Sequence, residues 1–179
     1  WNMDYWKSSK KAESWDYVQS LDPDVSLLNE CSTHSSQTHH IHHLAKDKWG
    51  CGVFSKHNLE EIVFDKSHPD AIACGQVTIN KQPITLVSLY GKIIDGYSIT
   101  TLHRSLSDLT HLFIQKDIID WLLIGGDFNA DTALDERQPG KSHHLFFERL
   151  KDFGLKDCRE KFNSERAQTL RHKKSTFAW

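Results

Sequence analysis

Between positions 121 and 131 the chain reads Trp-Leu-Leu-Ile-Gly-Gly-Asp-Phe-Asn-Ala-Asp, an unbroken apolar run that ends abruptly in acidic and amide side chains. A run of this kind is a strand buried on both faces, and its end is where polar groups reach a site. The pattern recurs in Trp1-Asn2-Met3-Asp4, in Val25-Ser26-Leu27-Leu28-Asn29-Glu30 and in Ile84-Thr85-Leu86-Val87-Ser88-Leu89-Tyr90-Gly91. Four apolar strands therefore each end in a hard-ligand or acid-base group.

The intervening segments supply the rest of a mixed α/β chain. Ala12, Trp15, Val18 and Leu21 fall at helical spacing and Pro23 follows them, which predicts a helix over 8–21. A strand over 25–29 comes next, then a polar stretch over 31–48 without periodicity, read as a surface loop or short irregular helix above the site. Strands are expected over 49–56, 60–65, 70–79 and 83–90, with a tight hairpin at Asn80-Lys81-Gln82, and this antiparallel succession builds one sheet. Ile99, Leu102, Leu106, Leu109, Phe113 and Ile114 mark a long amphipathic helix over 98–116, and Leu145, Phe146, Leu150 and Phe153 a second over 142–153 that Gly154 stops. The element order fits a two-sheet core covered by helices, with 1–179 as a single domain.

Bulk properties exclude several classes. A chain of 179 residues with 38% hydrophobic and 26% charged residues suits a soluble globular domain, not a disordered or fibrous one. No apolar run approaches the roughly 18 residues a membrane span needs, so no membrane partner and a cytoplasmic location are expected. Cys31, Cys51, Cys74 and Cys158 lack paired spacing and read as free thiols. A net charge of −2 carries no global basic field, and contact with a polyanion would be local. One candidate is the stretch 156–174, with seven basic residues against three acidic ones, which is either a solvated loop or a phosphate-backbone contact.

Taken in order, the four strand-end fragments resemble the endonuclease/exonuclease/phosphatase superfamily over nearly the whole chain. The resemblance implies a four-layer α-β-β-α sandwich of the deoxyribonuclease-I-like type. It also implies hydrolysis of phosphate esters with a divalent metal, magnesium or alternatively manganese. Asp22-Pro23-Asp24-Val25-Ser26-Leu27-Leu28-Asn29-Glu30 matches the family's metal-binding motif, with Glu30 as ligand and Asn29 where Gln is commoner. Asn2 corresponds to the Asn beside metal and scissile phosphate, and Asp4 to a further metal carboxylate, or else to a helix cap. Asp127 and Asn129, two apart on an extended segment, point to one side with Phe128 to the core. In the family such an Asp orients or deprotonates the attacking water, and the Asn stabilises charge developing on the phosphate. Tyr90 stands near the leaving group, although the Pro-Asn that follows in some members is missing from Tyr90-Gly91-Lys92, and Lys92 is a weaker phosphate contact.

The histidines at 34, 39, 40, 42 and 43 invite a structural-zinc reading, with His39 and His43 on one face if the stretch were helical. With no Cys or second His pair at finger spacing, an exposed loop near the substrate cleft is the plainer account. His103 is expected at the surface. The family's terminal Ser-Asp-His element has no counterpart, since the sequence ends Ser175-Thr176-Phe177-Ala178-Trp179, so the domain reads as incomplete at its C-terminus, or as a shortened member in which His172 substitutes. The expected function is nucleic-acid phosphodiester hydrolysis. The alternatives are a small-molecule or lipid phosphoesterase with the same site, and a non-catalytic binding scaffold.

Overall fold

The computed structural model of the chain describes residues 1–4, 11–45, 49–136, 140 and 142–158. Among them, β1 (Val25–Cys31), β2 (His39–Leu44) and β3 (Gly50–Ser55) form an antiparallel sheet in the order β1-β3-β2. A second sheet has the order β4-β5-β6-β7, from β4 (Leu59–Glu61), β5 (Ile72–Ile79), β6 (Gln82–Leu89) and β7 (Leu122–Gly125). The β5–β6 hairpin turns on Asn80 and Lys81, both at positive φ (52° and 68°), which is the two-residue turn whose twist matches that of the flanking strands.

Adjacent strand residues point to opposite faces, and that alternation separates the layers. Leu28 packs outward with Trp15 and Val18 of α1 (Lys11–Ser20), together with Met3, Cys31 and Phe54. Leu27 turns inward, to the apolar layer in which Ile41, Cys51 and Val53 of the first sheet meet Ala73, Val77 and Leu86 of the second. The far face of the second sheet, Ile72, Cys74, Val87 and Leu89, is covered by Ile99, Leu102, Leu106, Leu112 and Phe146. These come from α2 (Ile99–Asp108), α3 (Thr110–Phe113) and α5 (His143–Asp152). The result is helix, sheet, sheet, helix, the four-layer sandwich that the resemblance implies.

Strand direction places the functional end. After α4 (Lys116–Ile119), β7 returns parallel to β6, with Val87 opposite Ile124 and Ser88 opposite Gly125, so both strands finish at the same edge. On the other sheet Asn2 lies parallel to Asn29, held by Met3 N–H to Asn29 O (2.8 Å) and Asn29 N–H to Trp1 O (2.8 Å).

Four expectations need correction. The stretch over 31–48 is a loop only in part: residues 32–38, with His34, are irregular, but residues 39–44 are β2, fully paired with β3. Its alternation is hidden because imidazoles occupy both faces. The strands over 49–90 do not build one sheet, since β3 belongs with β1 and β2. The strand expected over 60–65 is only Leu59–Glu61. The long helix over 98–116 is interrupted at Leu109 and again at Gln115, although it contains no Gly or Pro. There the bonding tightens to Leu112 N–H on Leu109 O and Gln115 N–H on Leu112 O, which keeps Leu109, Leu112 and Phe113 all turned to the core. The basic residues of 156–174 beyond Lys156, His172 and the C-terminal five residues lie outside the described residues.

Candidate active site

The strand ends converge through hydrogen bonds. β1 carries an irregularity between Leu28 and Cys31, where Glu30 adopts a left-handed backbone (φ 48°). A bulge of this kind re-aims a side chain at a sheet edge. The Glu30 carboxylate meets the Tyr90 hydroxyl, which donates to its Oε1 at 2.8 Å. Tyr90 is in turn braced edge-on by the Trp49 ring, with centroids 5.9 Å apart. Asn2 Nδ2 donates to Asp127 Oδ2 at 2.8 Å, while its Oδ1 accepts from the backbone N–H of Asp4, also at 2.8 Å.

Asp127 and Asn129 do not sit on an extended segment. Asn129 has φ 48°, and its N–H donates to Asp127 Oδ1 at 2.9 Å, a side-chain-closed turn that locks the two residues together. Phe128 packs as expected against the core, edge-on to Phe146 at 5.2 Å. Asn129 Nδ2 donates to Gly91 O at 3.1 Å, and Gly91 N–H donates back to Asp127 O at 2.8 Å, so the Tyr90 and Asp127 loops are bonded to each other. Glycine is required on both loops. A Cβ on Gly91 would run into the Phe128 carbonyl, and one on Gly126, at φ 143°, into Leu89 O.

Beneath the cluster lies a residue that the sequence reading left without a role. Asn29 is wholly buried, and its Oδ1 accepts from Asp127 N–H at 2.5 Å. Its Nδ2 donates to Cys51 Sγ (3.1 Å) and Ser88 Oγ (3.2 Å), so one amide ties β1 to β3, β6 and the loop after β7. Ser88 passes its own proton to Leu28 O at 3.1 Å. The sequence signal was there, since Asn29 and Ser88 are polar residues inside otherwise apolar strands. Burial pushes the thiols up, that of Cys51 to about 11 against its hydrogen bonds with Ser88 and Asn29 and that of Cys74 to about 12, so both stay protonated.

Other candidates have structural employment. Lys92 is paired with Asp70 (Nζ to Oδ2 2.5 Å), so its charge is neutralised within the fold. His34 stacks on Trp15 and His40 on Phe54. His42 bonds Cys31 O at 2.9 Å, and burial, ahead of the neighbouring imidazoles, pulls its pKa down. His43 lies between Glu61 (3.0 Å) and Lys66 (3.1 Å), and burial first, then Lys66, lowers its pKa too. His103 lies in the body of α2, edge-on to Phe146, and burial followed by Arg149 lowers its pKa. Among the described residues no group of three or more His, Cys, Asp or Glu side chains is placed to hold a metal. The oxygen donors present are the Glu30 carboxylate, the Asn2 amide and the Asp4 carboxylate, a set that fits a hard cation completing its shell with water and substrate phosphate. No helix among the described residues is long and apolar enough to cross a membrane.

No family model and no curated protein sequence matches the chain. Solved structures do. The endonuclease domain of TRAS1, a telomere-specific non-LTR retrotransposon, superposes with a TM-score of 0.63 at 18% identity, covering 87% of this chain and 69% of that one. A 3'-5' exonuclease from Neisseria meningitidis gives 0.57 at 19% identity, over 82% of this chain and 69% of that one. Beta toxin from Staphylococcus aureus with bound magnesium ions gives 0.58 at 16%, over 85% and 65%. The stacked sheets, the parallel β6–β7 pair and these superpositions give the chain a deoxyribonuclease-I-like fold.

Proposed function

We propose that the chain is a divalent-metal-dependent phosphodiesterase that hydrolyses nucleic acid by direct attack of water on phosphorus. The observation that carries this reading is the pair of hydrogen-bonded groups, Glu30 with Tyr90 and Asn2 with Asp127 and Asn129, that come from four separate strand ends and are tied together through the Gly91 backbone. Glu30, with Asn2 and Asp4 as further oxygen donors, would hold magnesium, or manganese as a second hard ion. When bound, such an ion neutralises phosphate charge and polarises its oxygens.

The chain's own residues supply the rest. Asp127 is held at both carboxylate oxygens, by Asn2 and by the Asn129 amide, so its remaining lone pairs have a fixed direction in which to orient and deprotonate a water. The Asn129 side-chain amide, oriented by Gly91 O, has a second proton for a non-bridging phosphate oxygen. Tyr90 sets the direction of Glu30 through its hydroxyl, and its phenol would donate to the phosphate or assist the leaving oxygen. Likeness to an endonuclease domain and to a 3'-5' exonuclease supports nucleic acid as substrate.

A net charge of −2 favours a second reading, a smaller phosphate ester at the same site. The deciding experiment measures cut products from plasmid and abasic-site DNA, with magnesium and with EDTA, beside phosphate release from inositol phosphates. Magnesium-dependent cutting that falls about 10²- to 10⁴-fold in Asp127→Ala is the expected result. Turnover of inositol phosphates without DNA cutting would move the assignment to the second reading.

A further inference from the structure

The histidines of β2 divide between the two faces of the strand. Alternate residues share a face, so His40 and His42 stand on one side and His39 and His43 on the other. His43 is engaged by Glu61 and Lys66. His40 and His42 share the side of Phe54, whose ring centroid is 5.8 Å from the first imidazole and 6.3 Å from the second. Gly52, opposite His42 in the register, makes room for them: a Cβ there would come within 3.2 Å of the His42 ring and closer still to Phe54.

Each of these two rings makes one hydrogen bond, and each makes it to a backbone carbonyl. His40 bonds through Nδ1 to Gln37 O at 3.1 Å, and His42 through Nε2 to Cys31 O at 2.9 Å. A carbonyl only accepts, so the bonded nitrogen carries the proton. The other nitrogen, Nε2 of His40 and Nδ1 of His42, keeps a lone pair that has no partner among the described residues. A ring whose second N–H is held by a backbone carbonyl is how a metal-ligating histidine is fixed in tautomer and made more basic. His34 is different, since its Nδ1 already accepts from the Ser36 N–H at 3.3 Å. His40 and His42 open onto a cavity of about 690 Å³, which Ser32, Thr33 and the carboxylate-bearing Glu61 also line.

We propose that His40 and His42 are the two protein ligands of a borderline divalent transition-metal ion, copper(II) or zinc, held in this cavity with water completing its shell. Residues two apart on a strand are separated by about 6.6 Å, a span that two imidazoles close onto one ion at nitrogen–metal distances near 2.0 Å. Neutral imidazole nitrogens suit such an ion, and copper(II) heads the affinity order. Magnesium prefers the all-oxygen set of Asn2, Asp4 and Glu30. Two imidazoles leave the shell open, so the ion exchanges and does not hold the fold together. The two sites differ in donor chemistry, and this one does not depend on the phosphodiesterase reading.

The test titrates the tag-free chain with copper(II), and separately with zinc, in a large excess of magnesium. One tightly bound ion per chain is expected, with a copper electron paramagnetic resonance spectrum that carries hyperfine structure from two nitrogen ligands. His40→Ala and His42→Ala should each weaken binding by at least the roughly 10- to 100-fold that loss of an outer-shell partner alone costs. His39→Ala, on the other face of the same strand, should bind as wild type. His42→Ala also gives up the bond to Cys31 O, so a metal-free unfolding midpoint is read for every variant, and His40→Ala, at an exposed position, decides if His42→Ala does not fold. Equal weakening in His39→Ala would mean a nonspecific histidine tract and overturn the pair. Displacement by magnesium, a copper spectrum without nitrogen hyperfine structure, or unchanged binding in His40→Ala would overturn it as well. None of these outcomes touches the phosphodiesterase reading, which DNA cutting tests separately.

Discussion

Replacing Asn29 by Ala tests whether the amide beneath the site sets the position of Asp127. Asn29 is fully buried, and truncation removes the acceptor of the 2.5 Å bond from Asp127 N–H. A buried donor left without a partner costs about 1–3 kcal/mol. The Cys51 thiol and Ser88 hydroxyl lose less, because Cys51 also bonds Ser88 O (3.0 Å) and Ser88 also bonds Leu28 O (3.1 Å). With the small cavity added, the expected destabilisation is about 2–4 kcal/mol, which a domain with the usual 5–15 kcal/mol survives folded. The backbone pairing of Asn29 with Trp1 and Met3 is untouched, so Asn2 and Glu30 should keep their places. The Asp127 loop alone gains slack, and a shift near 1 Å in a catalytic group costs on the order of 10²-fold in rate. Denaturant unfolding gives the stability change, and steady-state hydrolysis under saturating magnesium gives kcat and KM separately. A fall in kcat at constant KM is expected. If the variant is destabilised as calculated but keeps kcat within about threefold of wild type, Asn29 is a packing residue and the positioning argument is wrong.

Two further outcomes follow from single hydrogen bonds. Tyr90→Phe removes the 2.8 Å bond to Glu30 but keeps the ring against Trp49, so magnesium affinity should weaken about 10- to 100-fold, as loss of an outer-shell partner does, with little change in unfolding midpoint. A magnesium titration of activity or heat checks this, and unchanged affinity would remove Tyr90 from the support of Glu30. At the start of α5 Asp135 receives the amides of His143 and His144 and the His144 ring. Burial acts the other way, but these bonds outweigh it and hold the Asp135 carboxyl below its ordinary pKa. A depressed folded-state pKa contributes stability above the unfolded value that is lost as pH falls through the folded one. Asp135→Asn should therefore unfold at lower denaturant than wild type at pH 7, with the gap closing in acid below the folded pKa. A gap of constant size down to that pH would show that the cap works without its charge.

The strand ends were legible because their signal is local. The run from Trp121 to Gly125 can be read as a strand without knowing its partner, and β7 is one. It is not buried on both faces as expected, since Trp121 and Leu123 are 49% and 38% exposed. Glu30, Tyr90, Asp127 and Asn2 stood out by the same local signal. β2 was not legible, because its strand character depends on what each imidazole meets: Phe54 for His40, Cys31 O for His42, Glu61 for His43. None of those contacts is local in the chain. The assignment of β3 to the first sheet was lost with it, since β3 pairs with β2 on one side and β1 on the other. The interruption at Leu109 escaped for a related reason, the apolar spacing being satisfied equally by a continuous helix and by turns that tighten toward the second sheet.

Asn29 shows why a site can be half readable. Its neighbour Glu30 announces itself by charge at a strand end, whereas Asn29 is one polar residue in an apolar strand, which alone suggests only a satisfied core amide. Its meaning appears once three partners from β3, β6 and the β7 loop are seen to converge on it. Those partners make the strand ends interdependent. Asp127 cannot shift without breaking the Asn29 bond, Asn129 cannot shift without releasing both Asp127 and the Gly91 loop, and Tyr90 follows Gly91 through the chain. A cluster bonded in this closed way holds its oxygens in place before substrate arrives, and such preorganisation is what lets charge developing on a phosphate be stabilised without further rearrangement.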